Sequence, residues 1–317
     1  MYAPIATDLE DVERLLQKEF SSDNPFVDQL AQHGFRLGGK RIRPALVLLS
    51  ARATGSVRPE HIVLAVTTEL IHTASLVHDD VLDEATLRRH LDTVNARWNN
   101  ETSVLLGDYL FARAMCLASS LEDNFACQTI SHSARNMCEG ELTQIHSRGN
   151  YDLTEAEYVQ IVAGKTAALM STCCRLGAHY AGAASATCEA LGQYGYDLGV
   201  AFQIADDVLD LVGEEAAVGK SLGTDLSKQK ATLPLIRLLA AVAPAERDEL
   251  ESILKRSDNH RRESLQPWLA RYDALDYARG QARSFTQRAY QQLAAIAKTP
   301  ASESLVGLAD FVIERRQ

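Results

Sequence analysis

From Pro59 to about Glu84 the chain keeps the 3.6-residue apolar period of a helix, with no glycine or proline after its first residue. Pro59 suits the first helical position, where its missing N–H costs nothing. The same habit recurs over Val104–Ser120, Thr129–Ile145, Thr154–Ala181 and Thr187–Leu211, with shorter stretches over Asp8–Phe20 and Arg43–Thr54, the latter stopped by Gly55. Gly 18 and Pro 8 make up about 8% of the residues, where roughly 12% is average, so a turn-rich sandwich or barrel is excluded. Beyond Leu233 amphipathic helices with charged faces, such as Arg247–Glu251, continue to the end. No strand-like alternation persists and no fixed-period repeat is present. The expectation is one all-α domain over residues 1–317. Its single polar, weakly periodic stretch, Gly213–Lys230, reads as a functional loop.

The charge balance, 42 acidic against 32 basic residues, gives a formal charge of −10 and excludes an overall basic footprint for nucleic acid. No apolar run reaches the roughly 18 residues of a membrane span. Asp8, Glu10, Asp11 and Glu13 stand where a signal peptide would be basic and then apolar. The six cysteines include no CxxC pair, so neither a zinc site nor a redox motif is indicated. Cys116, Cys127 and Cys138 are expected to be small buried hydrophobes on helices, and reduced thiols suit a cytoplasmic protein.

The feature that carries chemistry is a near duplication. His78-Asp79-Asp80-Val81-Leu82-Asp83 and Ala205-Asp206-Asp207-Val208-Leu209-Asp210 both contain DDVLD, and both end a long apolar helix. Helix positions i and i+4 share a face, which pairs Asp79 with Asp83 and Asp206 with Asp210. Asp80 and Asp207 are turned by about 100° and suit supporting or water-mediated roles. Carboxylates packed this closely need cations. An all-oxygen set without His or Cys ligands selects Mg²⁺ or Mn²⁺, whose remaining shell is water and substrate phosphate. Two matching clusters therefore point to a diphosphate held between them.

Basic residues accompany the two motifs. Gly38-Gly39-Lys40-Arg41-Ile42-Arg43-Pro44 opens a helix, whose N-terminus favours an anion. Arg88 and Arg89 follow the first motif, Lys165 stands in Gly164-Lys165-Thr166, and Lys220 and Lys230 lie in the polar loop after the second. Arginine forks and lysine point charges are the usual phosphate ligands.

Together these blocks resemble the trans-isoprenyl diphosphate synthases, or polyprenyl synthases, over about Gly38–Ile236. The blocks are GGKRIRP (Gly38–Pro44), IHTASLVHDDVLD (Ile71–Asp83), LLGDYLFARA (Leu105–Ala114), GKTAALM (Gly164–Met170) and FQIADDVLD (Phe202–Asp210), followed by the loop Gly219–Ile236. The resemblance implies the isoprenoid synthase fold, antiparallel helices around a deep central cavity, usually as a homodimer. It implies that Asp79, Asp83 and Asp206 ligate three Mg²⁺ ions on an allylic diphosphate, with Asp80, Asp207 and Asp210 as further or water-mediated ligands. Arg88, Lys165, Lys220 and Lys230 would neutralise that diphosphate, with Gln203 and Thr166 nearby. Lys40, Arg43, His72 and Arg89 would bind isopentenyl diphosphate, and His78 would be structural. Three positions depart from the family pattern: His90 and Asp92 stand where Gly and Pro are usual, and Gln229 replaces the Gly before the last loop lysine.

Product length is read from the residues just before the first motif, because the growing tail runs down beside that helix at roughly one isoprene unit per 5.4 Å turn. Ala74 and Ser75 are small there, with Ile71 deeper, which implies a long-chain product of about C30–C50 unless Met137, Phe111 or Met170 supplies a floor. The competing readings are a short-chain farnesyl or geranylgeranyl diphosphate synthase, a class I terpene cyclase, and a non-catalytic subunit of a heteromeric synthase. A cyclase has no use for a second diphosphate site, and non-catalytic subunits typically lose motif aspartates, whereas all six are present.

Overall fold

A computed structural model of the chain describes residues 1–36, 39–213, 223–256 and 260–314. The described residues are almost entirely helical. In chain order the elements are α1 (Ala6–Glu19), α2 (Pro25–Arg36), α3 (Ile42–Thr54), α4 (Pro59–Leu82), a hairpin of β1 (Leu87–Arg88) and β2 (Leu91–Asp92), α5 (Val94–Arg97), α6 (Asn100–Ser119) and α7 (Phe125–His146). Then come α8 (Glu155–Val162), a π-helical turn at Ala163–Ala167, α9 (Ala168–Tyr180) and α10 (Ser185–Val212). After the second motif follow α11 (Thr224–Ser227), α12 (Leu233–Ala241), α13 (Pro244–Leu254), α14 (Arg261–Arg271), α15 (Ala274–Leu293) and α16 (Pro300–Glu314).

The chain divides into two compact units, one of Met1–Ala134, Leu169–Gly195 and Tyr290–Leu308, the other of Arg135–Ala168, Tyr196–Ala289 and Ala309–Gln317. Each draws on three stretches of chain, so neither is a contiguous piece that one cut in the sequence would release.

In the first unit α4 packs against α1, α3 and α6. The helix α3 is apolar around most of its circumference, Ala45, Leu46, Val47, Leu48 and Leu49 all being inaccessible, the pattern of a helix enclosed by others. Each such leucine stabilises the fold by about 1.5–3 kcal/mol. Gly177 of α9 lies directly against the Val47 carbonyl, a backbone approach that a side chain would prevent. In the second unit a separate core joins Leu211, Leu226, Leu238, Leu250, Leu265 and Leu269 of α10–α14.

Two sequence expectations need correction. The stretch read as one helix over Thr154–Ala181 contains the π turn, which a 3.6 period does not distinguish from α-helix. Cys116 and Cys138 are exposed and Cys127 half-buried, because they sit on outer faces of α6 and α7; Cys173, Cys174 and Cys188 are the buried thiols.

Candidate active site

The first motif ends α4 in a Schellman motif. Ala85 N–H reaches the Asp80 carbonyl at 2.9 Å and Glu84 N–H the Val81 carbonyl at 3.2 Å, with Glu84 in the left-handed region at φ 52°. This stop gathers Asp79, Asp80 and Asp83 at a helix C-terminus, where the helix dipole already contributes negative charge. The three carboxylates are handled differently. Asp80 is 1% exposed and engaged edge-on by Arg88, whose Nε and Nη2 lie 2.9 and 2.7 Å from Oδ1. Asp79 and Asp83, one turn apart on one face, are half-buried.

The hairpin that carries Arg88 also carries Arg89, and its turn residues Arg89 and His90 stand at φ 51° and 64°. That is the conformation of a type I′ turn, which ordinarily calls for Asn-Gly. His90 thus takes the left-handed conformation of that turn without being glycine. Asp92, in place of Pro, accepts a hydrogen bond on its carbonyl from His33 Nε2 at 2.7 Å. Asn95 and Thr93 bind the Ala85 carbonyl at 3.0 and 2.7 Å and tie the loop to the end of α4.

Close to this loop the first unit assembles a basic cluster. Burial, then the guanidinium charges of Arg43, Arg88, Arg89 and Arg41, hold the His72 pKa well below the ordinary histidine value. The Arg89 guanidinium lies against Gly39, so a side chain at that glycine would displace it. The Arg43 Nε is buried without a hydrogen-bond partner. A buried imidazole under the charge of several guanidiniums is an environment that favours an anion. His78 does not join it: its Nε2 bonds the Val104 carbonyl at 3.0 Å, with the ring packed on Gly107.

In the second unit Gly140 of α7 and Gly164 allow a close backbone crossing, since a Cβ at Gly140 would stand 2.7 Å from the Lys165 nitrogen. The π turn that follows presents Lys165 and Thr166. Lys165 pairs with Glu141 at 2.5 Å and bonds Gln144 at 3.1 Å. Thr166 Oγ1 donates to Gln203 Oε1 at 2.9 Å, and Gln203 Nε2 donates to Asp207 Oδ1 at 2.8 Å. The Tyr158 hydroxyl donates to the other Asp207 oxygen at 2.6 Å. Burial, and next the charge of Asp225, push the Asp207 pKa up. Asp210 is 1% exposed; its carboxylate accepts Thr224 Oγ1 and the Asp225 N–H, each at 3.2 Å. Asp206 is half-buried. Lys230 lies 3.4 Å from Asp225. Gly38, Lys220, Arg315 and Arg316 lie outside the described residues.

The six aspartates thus differ in burial: Asp80, Asp207 and Asp210 are buried, while Asp79, Asp83 and Asp206 are half-buried. Among the described residues no three acidic, histidine or cysteine side chains converge on one point. A divalent ion takes one or two protein carboxylates and completes its shell with water and phosphate oxygens, so the all-oxygen pair Asp79 and Asp83 at a negative helix end suits such an ion. Sequence reasoning missed Tyr158, Asn95 and Arg41, the last of which faces Glu13 and Glu69 rather than the anion pocket. Only Arg41 had a signal, its place inside GGKRIRP.

The family model for polyprenyl synthetase matches residues 24–270. An all-trans-nonaprenyl-diphosphate synthase (geranyl-diphosphate specific) of Rhodobacter capsulatus is 35% identical over 316 residues, 99% of this chain and 97% of that protein. Component 2 of the heptaprenyl diphosphate synthase of Bacillus subtilis is 33% identical, covering 99% of this chain and 90% of that protein. A polyprenyl synthase crystal structure from Caulobacter crescentus, complexed with calcium and isoprenyl diphosphate, superposes with a TM-score of 0.94 at 34% identity, covering 100% of this chain and 97% of that one. The chain belongs to the polyprenyl synthetase family and is a prenyltransferase with the all-α isoprenoid synthase fold.

Proposed function

We propose that the protein elongates an allylic diphosphate, farnesyl or geranylgeranyl diphosphate, with isopentenyl diphosphate to an all-trans product of about C30–C50. The observation that carries this reading is the basic cluster of Arg43, Arg89 and His72, with the Arg89 guanidinium against Gly39, which suits a second diphosphate. A terpene cyclase, which handles one diphosphate, has no use for it. The small Ala74 and Ser75 before the first motif and the long-chain names of the relatives support the product length.

In this reading Asp79, Asp83 and Asp206 hold Mg²⁺, about three ions, with Mn²⁺ as a substitute. The ions would act as Lewis acids that make the allylic diphosphate a competent leaving group. Arg88, Lys165, Lys220 and Lys230 neutralise charge on the departing oxygens, the largest contribution to such reactions. Lys40, Arg43, His72 and Arg89 hold isopentenyl diphosphate by its phosphates, leaving its double bond to attack the allylic carbon. The departing diphosphate then takes the proton, and a neutral His72 serves as a phosphate contact rather than a base.

The whole chain acts as one catalytic domain, in the cytoplasm; no helix among the described residues is long and apolar enough to cross a membrane. It pairs with a second copy through α6, whose Val104, Leu105 and Phe111 are 42%, 66% and 37% exposed, a patch that burial would stabilise. The test is incubation with Mg²⁺, farnesyl diphosphate and labelled isopentenyl diphosphate, with a chelator control and mass-spectrometric product length. A metal-dependent ladder reaching C30 or beyond supports the reading. Farnesyl diphosphate consumed without label incorporation overturns it in favour of a cyclase. No turnover from a monodisperse dimer overturns it in favour of a subunit that needs a different partner.

A further inference from the structure

Arg41 is the N-cap residue of α3, and its backbone stands at φ 53°, ψ 37°, in the left-handed region. An N-cap residue is ordinarily extended, and a side chain in the left-handed region costs about 1–2 kcal/mol. Such a conformation persists where the surroundings over-determine it, and it collects at functional sites. Here two carboxylates from different helices do so. Arg41 Nε and Nη2 donate to Glu13 of α1 at 2.6 and 3.2 Å, and Nη1 donates to Glu69 of α4 at 2.9 Å. The Phe35 ring lies 5.3 Å below the guanidinium carbon. Glu69 is 3% exposed, so its bond to Arg41 is charge-assisted and shielded from water, whereas the Glu13 side chain is 43% exposed.

The neighbours of Arg41 behave differently. Lys40 precedes the left-handed residue, and its carbonyl is pinned by the Tyr2 hydroxyl at 2.9 Å. Arg43 follows in the first turn of α3, with its Nε buried and without a hydrogen-bond partner. Three basic residues in the run KRIR read as one anion-binding patch, yet one of them is spent on two carboxylates. Relaxing Arg41 to the extended form would change the direction in which the chain enters α3 and swing Lys40 away from Arg43.

We propose that Arg41 is a positioning residue for the isopentenyl diphosphate pocket: the Glu13–Arg41–Glu69 clamp holds the left-handed turn that aims Lys40 and Arg43 at one diphosphate. The inference rests on the assignment of Lys40, Arg43, His72 and Arg89 to that diphosphate. It makes a prediction opposite in sign to simple electrostatics. Removing the Glu69 carboxylate, whose charge acts on Arg41 and Arg43, raises the local positive potential, which by itself strengthens anion binding; loss of the turn weakens it.

The experiment is steady-state kinetics on the full chain for Glu69→Gln, Glu13→Gln and Arg43→Lys, with KM measured separately for isopentenyl diphosphate and for the allylic primer. Glu69→Gln is expected to raise KM for isopentenyl diphosphate about tenfold, the equivalent of about 1.4 kcal/mol, with kcat and the primer KM within about twofold. Glu13→Gln is expected to act in the same direction by less, and because the Glu13 side chain is 43% exposed this variant decides the matter if Glu69→Gln does not fold. Unchanged or lowered KM in the glutamine variants, with Arg43→Lys raising it, overturns the positioning role and leaves the pocket assignment standing. Unchanged KM in Arg43→Lys removes the pocket assignment itself, and the proposal with it.

Discussion

Arg88 and Asp80 lock edge to edge: Nε lies 2.9 and 3.1 Å from the two carboxylate oxygens and Nη2 lies 2.7 Å from Oδ1. None of these bonds uses Nη1, so one edge of the guanidinium is fixed by protein while the other can address a phosphate. Asp80 and Asp79 are adjacent in sequence but should respond differently to amidation. Asp79→Asn should abolish the rise in Tm that Mg²⁺ and pyrophosphate together produce. Asp80→Asn should keep that rise, lower the Tm of the metal-free protein through a loss of about 1–3 kcal/mol, and raise the primer KM by roughly tenfold or more. Equal loss of the ligand-induced Tm shift in both variants would put Asp80 beside Asp79 as a direct metal ligand rather than a further or water-mediated one.

The turn at Arg89-His90 carries two residues with positive φ where the hairpin geometry favours Asn-Gly. His90→Gly should therefore stabilise the protein by about 0.5–1 kcal/mol, relieved backbone strain of about 1–2 kcal/mol being partly offset by a more flexible unfolded chain. A urea titration should show a higher midpoint at unchanged slope. A lower midpoint would mean that the His90 side chain makes contacts worth more than the strain.

The helices were legible because their apolar period is long and little interrupted, and Asp79 and Asp83 were legible as a pair because spacing alone puts them on one face. What resisted reading was backbone in the left-handed region without glycine, at Arg41, Glu84, Arg89 and His90. Sequence rules look for Gly or Asn there, while here surrounding contacts impose the conformation. Tyr158 was equally silent, since its bond to Asp207 spans 49 positions and depends on how α8 and α10 meet within their unit. The π turn was hidden for a different reason: its insertion shifts the register by one residue, which leaves Lys165 and Thr166 in an otherwise helical pattern. Cys116 and Cys138 were misplaced because a small apolar residue fits an exposed helical face as readily as a core.

His61 should make stability depend on pH. Its Nδ1 accepts the Arg58 N–H at 2.8 Å, so Nε2 carries the proton donated to the Gly177 carbonyl at 3.0 Å. Burial lowers its pKa from the ordinary 6.5, the bond to Gly177 opposing the shift. The folded chain then binds fewer protons than the unfolded chain below about pH 6.5, and stability falls with acidification at up to about 1.4 kcal/mol per pH unit. The contribution is complete above pH 6.5 and lost as pH drops through the folded value. Urea unfolding between pH 8 and pH 5 should show a steeper loss for the wild type than for His61→Gln, which has nothing to titrate. Parallel curves would assign the acid sensitivity elsewhere.

Ala74 is 3% exposed on α4 and stands just over one turn before Asp79, so a tail whose diphosphate is held at the motif passes it within its first units. Ile71 lies a turn deeper, and Ser75 turns its hydroxyl back to the His72 carbonyl at 2.8 Å, presenting little bulk. Ala74→Phe should therefore shorten the product to about C15–C20, consistent with one isoprene unit per helical turn of about 5.4 Å. Because an added ring in a packed region also costs about 1–3 kcal/mol, Tm should be measured beside the product ladder. A stable variant with kcat for the first condensation preserved and a truncated ladder would make Ala74 the ruler. A stable variant with an unchanged ladder would move the tail to a different face of α4, away from Ile71, Ala74 and Ser75.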